Sequence, residues 1–266
     1  MNTPATPPSF GAFAPSAAQA ALLAIARIPP LYRGHLRDTW SRALQRLRRG
    51  PIDVVSPLGR YRLHPADNHV ERAIMLHQRY NLEEIDFLCA RLPPDGVFVD
   101  IGANIGLYAV AVGRQVPRGR VIAIEPSAQC GERLRFNLDC NGITWAHVAA
   151  CGVADYRGRA SLNNPRNSLA IVNTVRDDNA GTVDIRTLID VLDEVKAARI
   201  DALKIDIEGD EMAALAPFFA QAPEALWPTR VCIEHLGDKS DVWPVLERAG
   251  YRVVSRTRNN ALMERG

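Results

Sequence analysis

Paired cysteines are missing from this sequence. Its five cysteines (Cys89, Cys130, Cys140, Cys151 and Cys232) form no C-x-x-C pair and are odd in number. This excludes a disulfide-stapled secreted module and suits structural thiols in a reducing compartment. Long hydrophobic runs are missing too: the uncharged stretch Ala17 to Ala26 near the start is too short to span a bilayer. The amino terminus lacks the basic residues that open a secretory signal, so the cytoplasm is the expected location. Charge of one sign is equally scarce. A formal net charge of +2 over 266 residues gives no strong pull toward nucleic acid. What is present is ordinary for a soluble globular chain, with 47% hydrophobic and 23% charged residues. The length suffices for one α/β domain with an extension.

The stretch Val97-Phe-Val-Asp-Ile-Gly-Ala-Asn-Ile-Gly106 carries the most information. Val97 to Val99 read as a strand buried on both faces, Asp100 as its tip, and Ile105 to Arg114 as the helix that follows. Between them Gly102 and Gly106 let the backbone turn tightly and come close to a ligand. A dinucleotide loop aims bare N–H groups and a helix N-terminus at a pyrophosphate, and an aspartate inside it repels that ligand. S-adenosyl-L-methionine carries a sulfonium and an ammonium instead, which a carboxylate suits. A second apolar strand, Val121 to Ile124, delivers Glu125 about where a ribose-binding acid belongs.

Four blocks in order resemble the S-adenosylmethionine-dependent methyltransferases, specifically the FkbM family. They are Val99 to Tyr108, Ala123-Ile-Glu-Pro126, Leu134 with Asn137 and Asn141, and Leu203-Lys-Ile-Asp-Ile-Glu-Gly-Asp-Glu211. The likeness covers residues 60 to 260, and Asp210 departs from it where the family more often has a small residue. The resemblance implies a doubly wound, mostly parallel seven-stranded sheet of the Rossmann-like class I methyltransferase kind, with a helical N-terminal extension over residues 1–50 and the methyltransferase domain over 51–266. It implies Asp100, Gly102, Ala103, Asn104, Gly106, Glu125, Pro126 and Asp206 as the cofactor-binding set. The reaction it implies is O-methylation of a hydroxyl-bearing small-molecule or glycan acceptor.

Along the chain, residues 1 to 15 are rich in proline and alanine and are expected to be disordered. Ser16 to Arg27 reads as a helix stopped by Pro29 and Pro30. A basic amphipathic helix over Asp38 to Arg49 either docks on its own domain or makes a peripheral contact with an anionic membrane. Ile52 to Val55 and Arg60 to Leu63 read as a hairpin, and Val70 to Gln78 as a helix. Asn81 with Glu84 reads as the capping pair of the next helix. His64, His69 and His77 are lone histidines for which surface or packing roles compete with chemistry. Ser127 to Cys140 reads as a helix and Trp145 to Cys151 as a third strand whose end lies where an adenine contact is usual. The polar, asparagine-rich excursion from Tyr156 to Val183 is a candidate cover for the acceptor.

Ile200 to Ile207 reads as a fourth buried strand, whose alternation would bring Lys204, Asp206 and Glu208 to one face. Arg230 to Glu234 is a fifth, followed by His235. Methylation of a hydroxyl needs a base, and Asp206, Glu208 and His235 are the catalytic candidates. Asp206, Glu208 and Glu234 are an alternative donor set for a divalent cation, since hard cations choose oxygen ligands; no metal is assigned. The rival readings are a nicotinamide-dependent oxidoreductase, which Asp100 disfavours, and a non-catalytic membrane- or partner-binding protein on the same fold. Sequence leaves the oligomeric state open.

Overall fold

The structure, a computed structural model, describes residues 7–163, 173–176, 180–234 and 242–266, with backbone alone for 163 and 173–176. Two helices lead, α1 (Ala17–Ala26) and α2 (His35–Leu47), followed by the hairpin of β1 (Ile52–Ser56) and β2 (Gly59–Leu63). Helices α3 (His69–Leu76) and α4 (Leu82–Cys89) connect it to the central units: β3 (Val97–Ile101), α5 (Leu107–Gly113), β4 (Arg120–Ile124), α6 (Ala128–Cys140) and β5 (Ala146–Ala149). Short strands β6 (Gly152–Val153), β7 (Gly158–Asn163), β8 (Asn173–Arg176) and β9 (Val183–Arg186) come next, then α7 (Leu188–Glu194), β10 (Ala202–Ile205) and α8 (Glu211–Gln221). The chain finishes with β11 (Arg230–Glu234), α9 (Trp243–Arg248), β12 (Tyr251–Arg256) and β13 (Asn260–Arg265).

The main sheet has seven strands in the order β12-β13-β11-β10-β3-β4-β5. Its five inner and outer strands β11, β10, β3, β4 and β5 are parallel, and β13 and β12 run antiparallel at one edge. This is the doubly wound class I methyltransferase architecture that the resemblance implied. Successive apolar residues of β3, β4 and β10 face opposite ways, so each strand buries both sides. Phe98, Val121, Ala123, Ala202 and Cys232 meet α5 and the N-terminal elements. Val99, Ile101, Ile122, Leu203 and Val231 pack with α7, α8 and α9. The chain leaves β3 toward β4 and β5, then returns to add β10 on the other side of β3. That reversal opens a crevice at the carboxyl ends of β3 and β10, the place where such sheets bind ligands.

Alternation also fixes which polar residues extend from the same face of the sheet. Asp100, Glu125, Lys204 and Glu234 each follow, two residues on, a side chain of the same apolar layer (Phe98, Ala123, Ala202 and Cys232). They therefore extend toward one face of the sheet. Asp100 and Lys204 are direct neighbours in the parallel register.

Several expectations are corrected. Residues 7–15 are ordered against the hairpin, because the buried Asp53 carboxylate accepts the Gly11 and Phe13 N–H groups at 2.7 and 3.1 Å. Arg62 meanwhile donates to the Pro8 and Ser9 carbonyls. Asn81 adopts a left-handed conformation with no side-chain cap, and its amide donates to the Tyr108 hydroxyl at 2.9 Å. Its supposed partner Glu84 instead accepts from Thr257 and Asn260, residues far along the chain. The expected third strand breaks after Ala149. Gly152–Val153 pairs with β9 in a separate four-stranded sheet, β6-β9-β7-β8, that the polar excursion builds in part.

Candidate functional site

The loop after β3 is shaped by what stands behind it. Gly102 and Ala103 both donate to the Ile124 carbonyl at 3.0 Å, which folds the chain back across the end of β4. Gly102 has φ +78°, and a Cβ there would lie 2.1 Å from the Asp206 carbonyl oxygen, so only glycine lets the two strand ends meet. Glu125 sits behind the loop, accepting the Asn104 and Ser127 N–H groups at 2.8 Å each. It is 7% exposed, and burial pushes its carboxyl up to about 7.

Asp100 is 1% exposed, and one carboxylate oxygen has no hydrogen-bond partner. Burial pushes its pKa up to about 7 against the attraction of Lys204. Lys204 is itself buried, yet stays charged: burial works against its proton, while Asp206 and then neighbouring groups including Asp100 raise its pKa overall. Its ammonium lies 3.2 Å from Asp206 Oδ2 and 5.3 Å from the centre of the Tyr108 ring, and it donates to the Ile205 carbonyl.

Asp206, Glu208 and Glu234 each offer an oxygen within 4.8 Å of the others. Lys204, Asp206 and Glu208 line one cavity, but strand alternation, which the sequence reading invoked for them, is not what places all three. The strand ends at Ile205, and Glu208 reaches the cluster through a turn with φ +57°. Asp206 is held below the usual carboxylate range: burial opposes the charge, but Lys204 and a hydrogen bond with Glu234 outweigh it. Glu234 is pushed up to about 8, by burial first and then by the charge of Asp206. Such a set does one of two things chemically: it shares a proton between neighbouring carboxylates, or it supplies oxygen ligands to a hard divalent cation.

These groups line one cavity of about 390 Å³, with Asp100, Gly102, Asn104 and Tyr108 on the loop side and Lys204, Asp206, Glu208 and Glu234 opposite. A smaller hollow of about 30 Å³ is lined by Ile124, Pro126, Cys151, Gly152 and Val153, and Gly102 borders both. Of the expected cofactor set, Asp100, Gly102, Ala103, Asn104 and Asp206 line the cavity and Pro126 the hollow. Glu125 lines neither and Gly106 caps α5. His235 lies outside the described residues. Among the lone histidines, His69 reaches the cavity, whereas His77 stacks on Tyr32 at 4.6 Å. No described residue of β6 to β9 lines the cavity. Sequence reasoning gave no place in the site to Tyr108, Arg37, Glu84, Arg258 or Asn260, which also line it. Only Tyr108 lay inside a recognisable block; the others arrive from remote elements with no local signal.

The Methyltransferase FkbM domain model matches residues 100–253, and the chain belongs to that family. Among curated relatives, the AMB antimetabolite synthetase AmbE of Pseudomonas aeruginosa is 30% identical over 65% of this chain and 10% of its own length. The methyltransferase sdnD of Sordaria araneosa is 31% identical over 47% of this chain and 61% of its own. The 2-O-methyltransferase NoeI of Sinorhizobium fredii is 26% identical over 46% of this chain and 57% of its own. The chain thus spans a tenth of the first relative and about three fifths of the other two. Membership of that family sets aside the nicotinamide reading, and the methyl donor of such methyltransferases is S-adenosyl-L-methionine. The site fits that donor. A buried carboxylate with one orphaned oxygen, a glycine that leaves the loop bare and a shallow apolar hollow beside it match a molecule with a cationic end and a flat end.

Proposed function

We propose that this protein methylates a hydroxyl of a sugar, glycan or natural-product acceptor, using S-adenosyl-L-methionine. The observation that carries the reading is a single cavity that brings together Asp100, a buried carboxylate with one unpartnered oxygen, and three converging carboxylates. Asp100, the Gly102–Asn104 loop, Gly106, Pro126 and Asp206 hold the cofactor, which supplies an electrophilic methyl group when bound, and Glu125 holds the loop in place from behind. The chain's own work is to orient the acceptor and take its proton. Glu234, held near pH 8 beside Asp206, has the pKa for a base at neutral to mildly alkaline pH. Lys204 fixes Asp206, and Glu208 completes the acidic wall against which a hydroxyl docks. NoeI, a relative named as a 2-O-methyltransferase, supports a hydroxyl acceptor.

The same cluster supports a second version, in which Asp206, Glu208 and Glu234 hold a divalent cation that acidifies the hydroxyl. Titration calorimetry with S-adenosyl-L-methionine and S-adenosylhomocysteine tests the main proposal. Binding of both is expected, and silence from both at millimolar levels sinks it. Radiolabelled methyl transfer to a panel of sugars, with and without a chelator, then separates the metal-free and metal-assisted versions.

A further inference from the structure

We propose that the α1–α2 hairpin docks this protein onto an anionic lipid bilayer, with arginines against the headgroups and exposed aliphatic side chains in the interfacial layer. The first 50 residues carry seven arginines and one aspartate, while the rest of the chain is net acidic. The single acid, Asp38, is already engaged by Arg72 at 3.3 Å. Arg33, Arg42, Arg46 and Arg49 are exposed and form no ion pair among the described residues.

Apolar exposure falls in the same place. Among the described residues, four of the eight exposed large hydrophobic side chains belong here: Ile25 at 49%, Ile28 at 55%, Leu36 at 44% and Leu47 at 52%. They are not spare core residues, because the inward face of α2 is filled by Leu44 and Trp40 packed with Leu23. Leu36 and Leu47 are eleven residues apart, about three helical turns, so they lie along one line of α2, roughly 16 Å long, at the exposed border of the stripe that Trp40 shares. Arg42 and Arg46 lie to one side of that line. Beside them an open groove of about 940 Å³ is walled by Arg42, Arg46 and Arg49 on one side and Arg72 on the other.

Charge complementarity and apolar exposure together select the occupant. A soluble phosphate would satisfy the arginines and leave four aliphatic side chains in water. An anionic bilayer engages both, each arginine near such a surface contributing about 1 kcal/mol and each buried methylene adding to it. No described helix is long and apolar enough to cross a membrane, so the attachment proposed is to the surface. The same helix sends Arg37 into the candidate catalytic cavity, and docking through α2 therefore holds that cavity beside the lipid.

Sedimentation of the full chain with vesicles tests this, using phosphatidylcholine alone or phosphatidylcholine mixed with phosphatidylglycerol. Binding is expected only to the anionic vesicles and is expected to fall steeply with added salt. The triple variant Arg42→Glu, Arg46→Glu, Arg49→Glu should lose at least about a hundredfold in affinity, near fivefold for each charge removed. The pair Leu36→Ser and Leu47→Ser should weaken binding while leaving its salt dependence in place. Circular dichroism and calorimetry with S-adenosyl-L-methionine on every variant report folding and the cofactor site, neither of which these residues touch. Equal binding to both vesicle types, binding to neither, or an unaffected triple variant overturns the proposal. Saturable binding of inorganic phosphate by calorimetry with no vesicle sedimentation also overturns it and assigns the groove to a soluble anion. Methyl transfer and docking are independent, so failure of either leaves the other standing.

Discussion

Replacing Asp100 by asparagine sets folding and cofactor binding against each other. In the wild-type chain this carboxyl is 1% exposed with one orphaned oxygen, and burial, opposed by Lys204, raises it from 3.8 to about 7. A folded-state value above the unfolded one means that the folded chain holds this proton more tightly. Its stability is then intact below about 3.8, declines as pH rises toward about 7, and stays lower beyond. At about 1.36 kcal/mol per pH unit, the window from 3.8 to about 7 corresponds to an upper bound of about 4 kcal/mol. Asparagine never ionises, so the variant lacks this decline. It carries instead a constant cost of about 1–3 kcal/mol if its amide finds no partner. Urea unfolding of both chains without cofactor, at about pH 4 and about pH 8, reads the difference. The variant should gain on the wild type by several kcal/mol between the two conditions. Glu125 and Glu234 are also raised, to about 7 and about 8, but titrate in both chains and largely cancel. A stability gap that is equal at both pH values, or that widens in favour of the wild type on raising the pH, refutes the reasoning. Calorimetry should show the other side of the exchange, an affinity for S-adenosyl-L-methionine lowered by more than about tenfold.

Other perturbations read different parts of the structure. Glu125→Ala leaves the Asn104 and Ser127 N–H groups without their acceptor; a loss of about 1–3 kcal/mol in urea unfolding and an affinity drop of more than about tenfold for the cofactor are expected. Asp53→Ala strands the Arg62 guanidinium, 2.7 Å from it and 7% exposed, and should destabilise the fold by about 3–5 kcal/mol. Limited proteolysis would then cut faster within residues 7–15, which Asp53 and Arg62 hold down. Glu234→Gln should remove the rising limb of the rate profile, which in the wild type climbs with pH through about 8 as that carboxyl loses its proton. A variant profile that kept the limb would move the base elsewhere.

Much of the fold was legible because its signals are local. An apolar run ending in Asp100, a glycine loop and a short helix are neighbours in sequence and in space, and alternation alone sets which strand residues share a face. The same holds for Ser127 capping α6, whose hydroxyl accepts from the Cys130 N–H. The misreadings came where a local preference met a remote partner. Asn81 and Glu84 have the spacing of a capping box, yet Tyr108 claims the first, and Thr257 and Asn260 the second. Residues 1 to 15 have the composition of a disordered leader, yet a buried ion pair in the hairpin supplies acceptors and donors that order residues 7–15.

The sequence alone determined the class of fold and the loop that faces the donor, since both follow from the periodicity and residue types of contiguous segments. Only the tertiary structure decided the chemistry around that loop. It set Lys204 against Asp206, left one oxygen of Asp100 unpaired, and raised Glu234 through burial and then the nearness of Asp206 and Glu208. Ionisation in a buried cavity depends on which charges lie within a few ångströms and how much water is excluded, and neither distance nor desolvation is written in the order of residues.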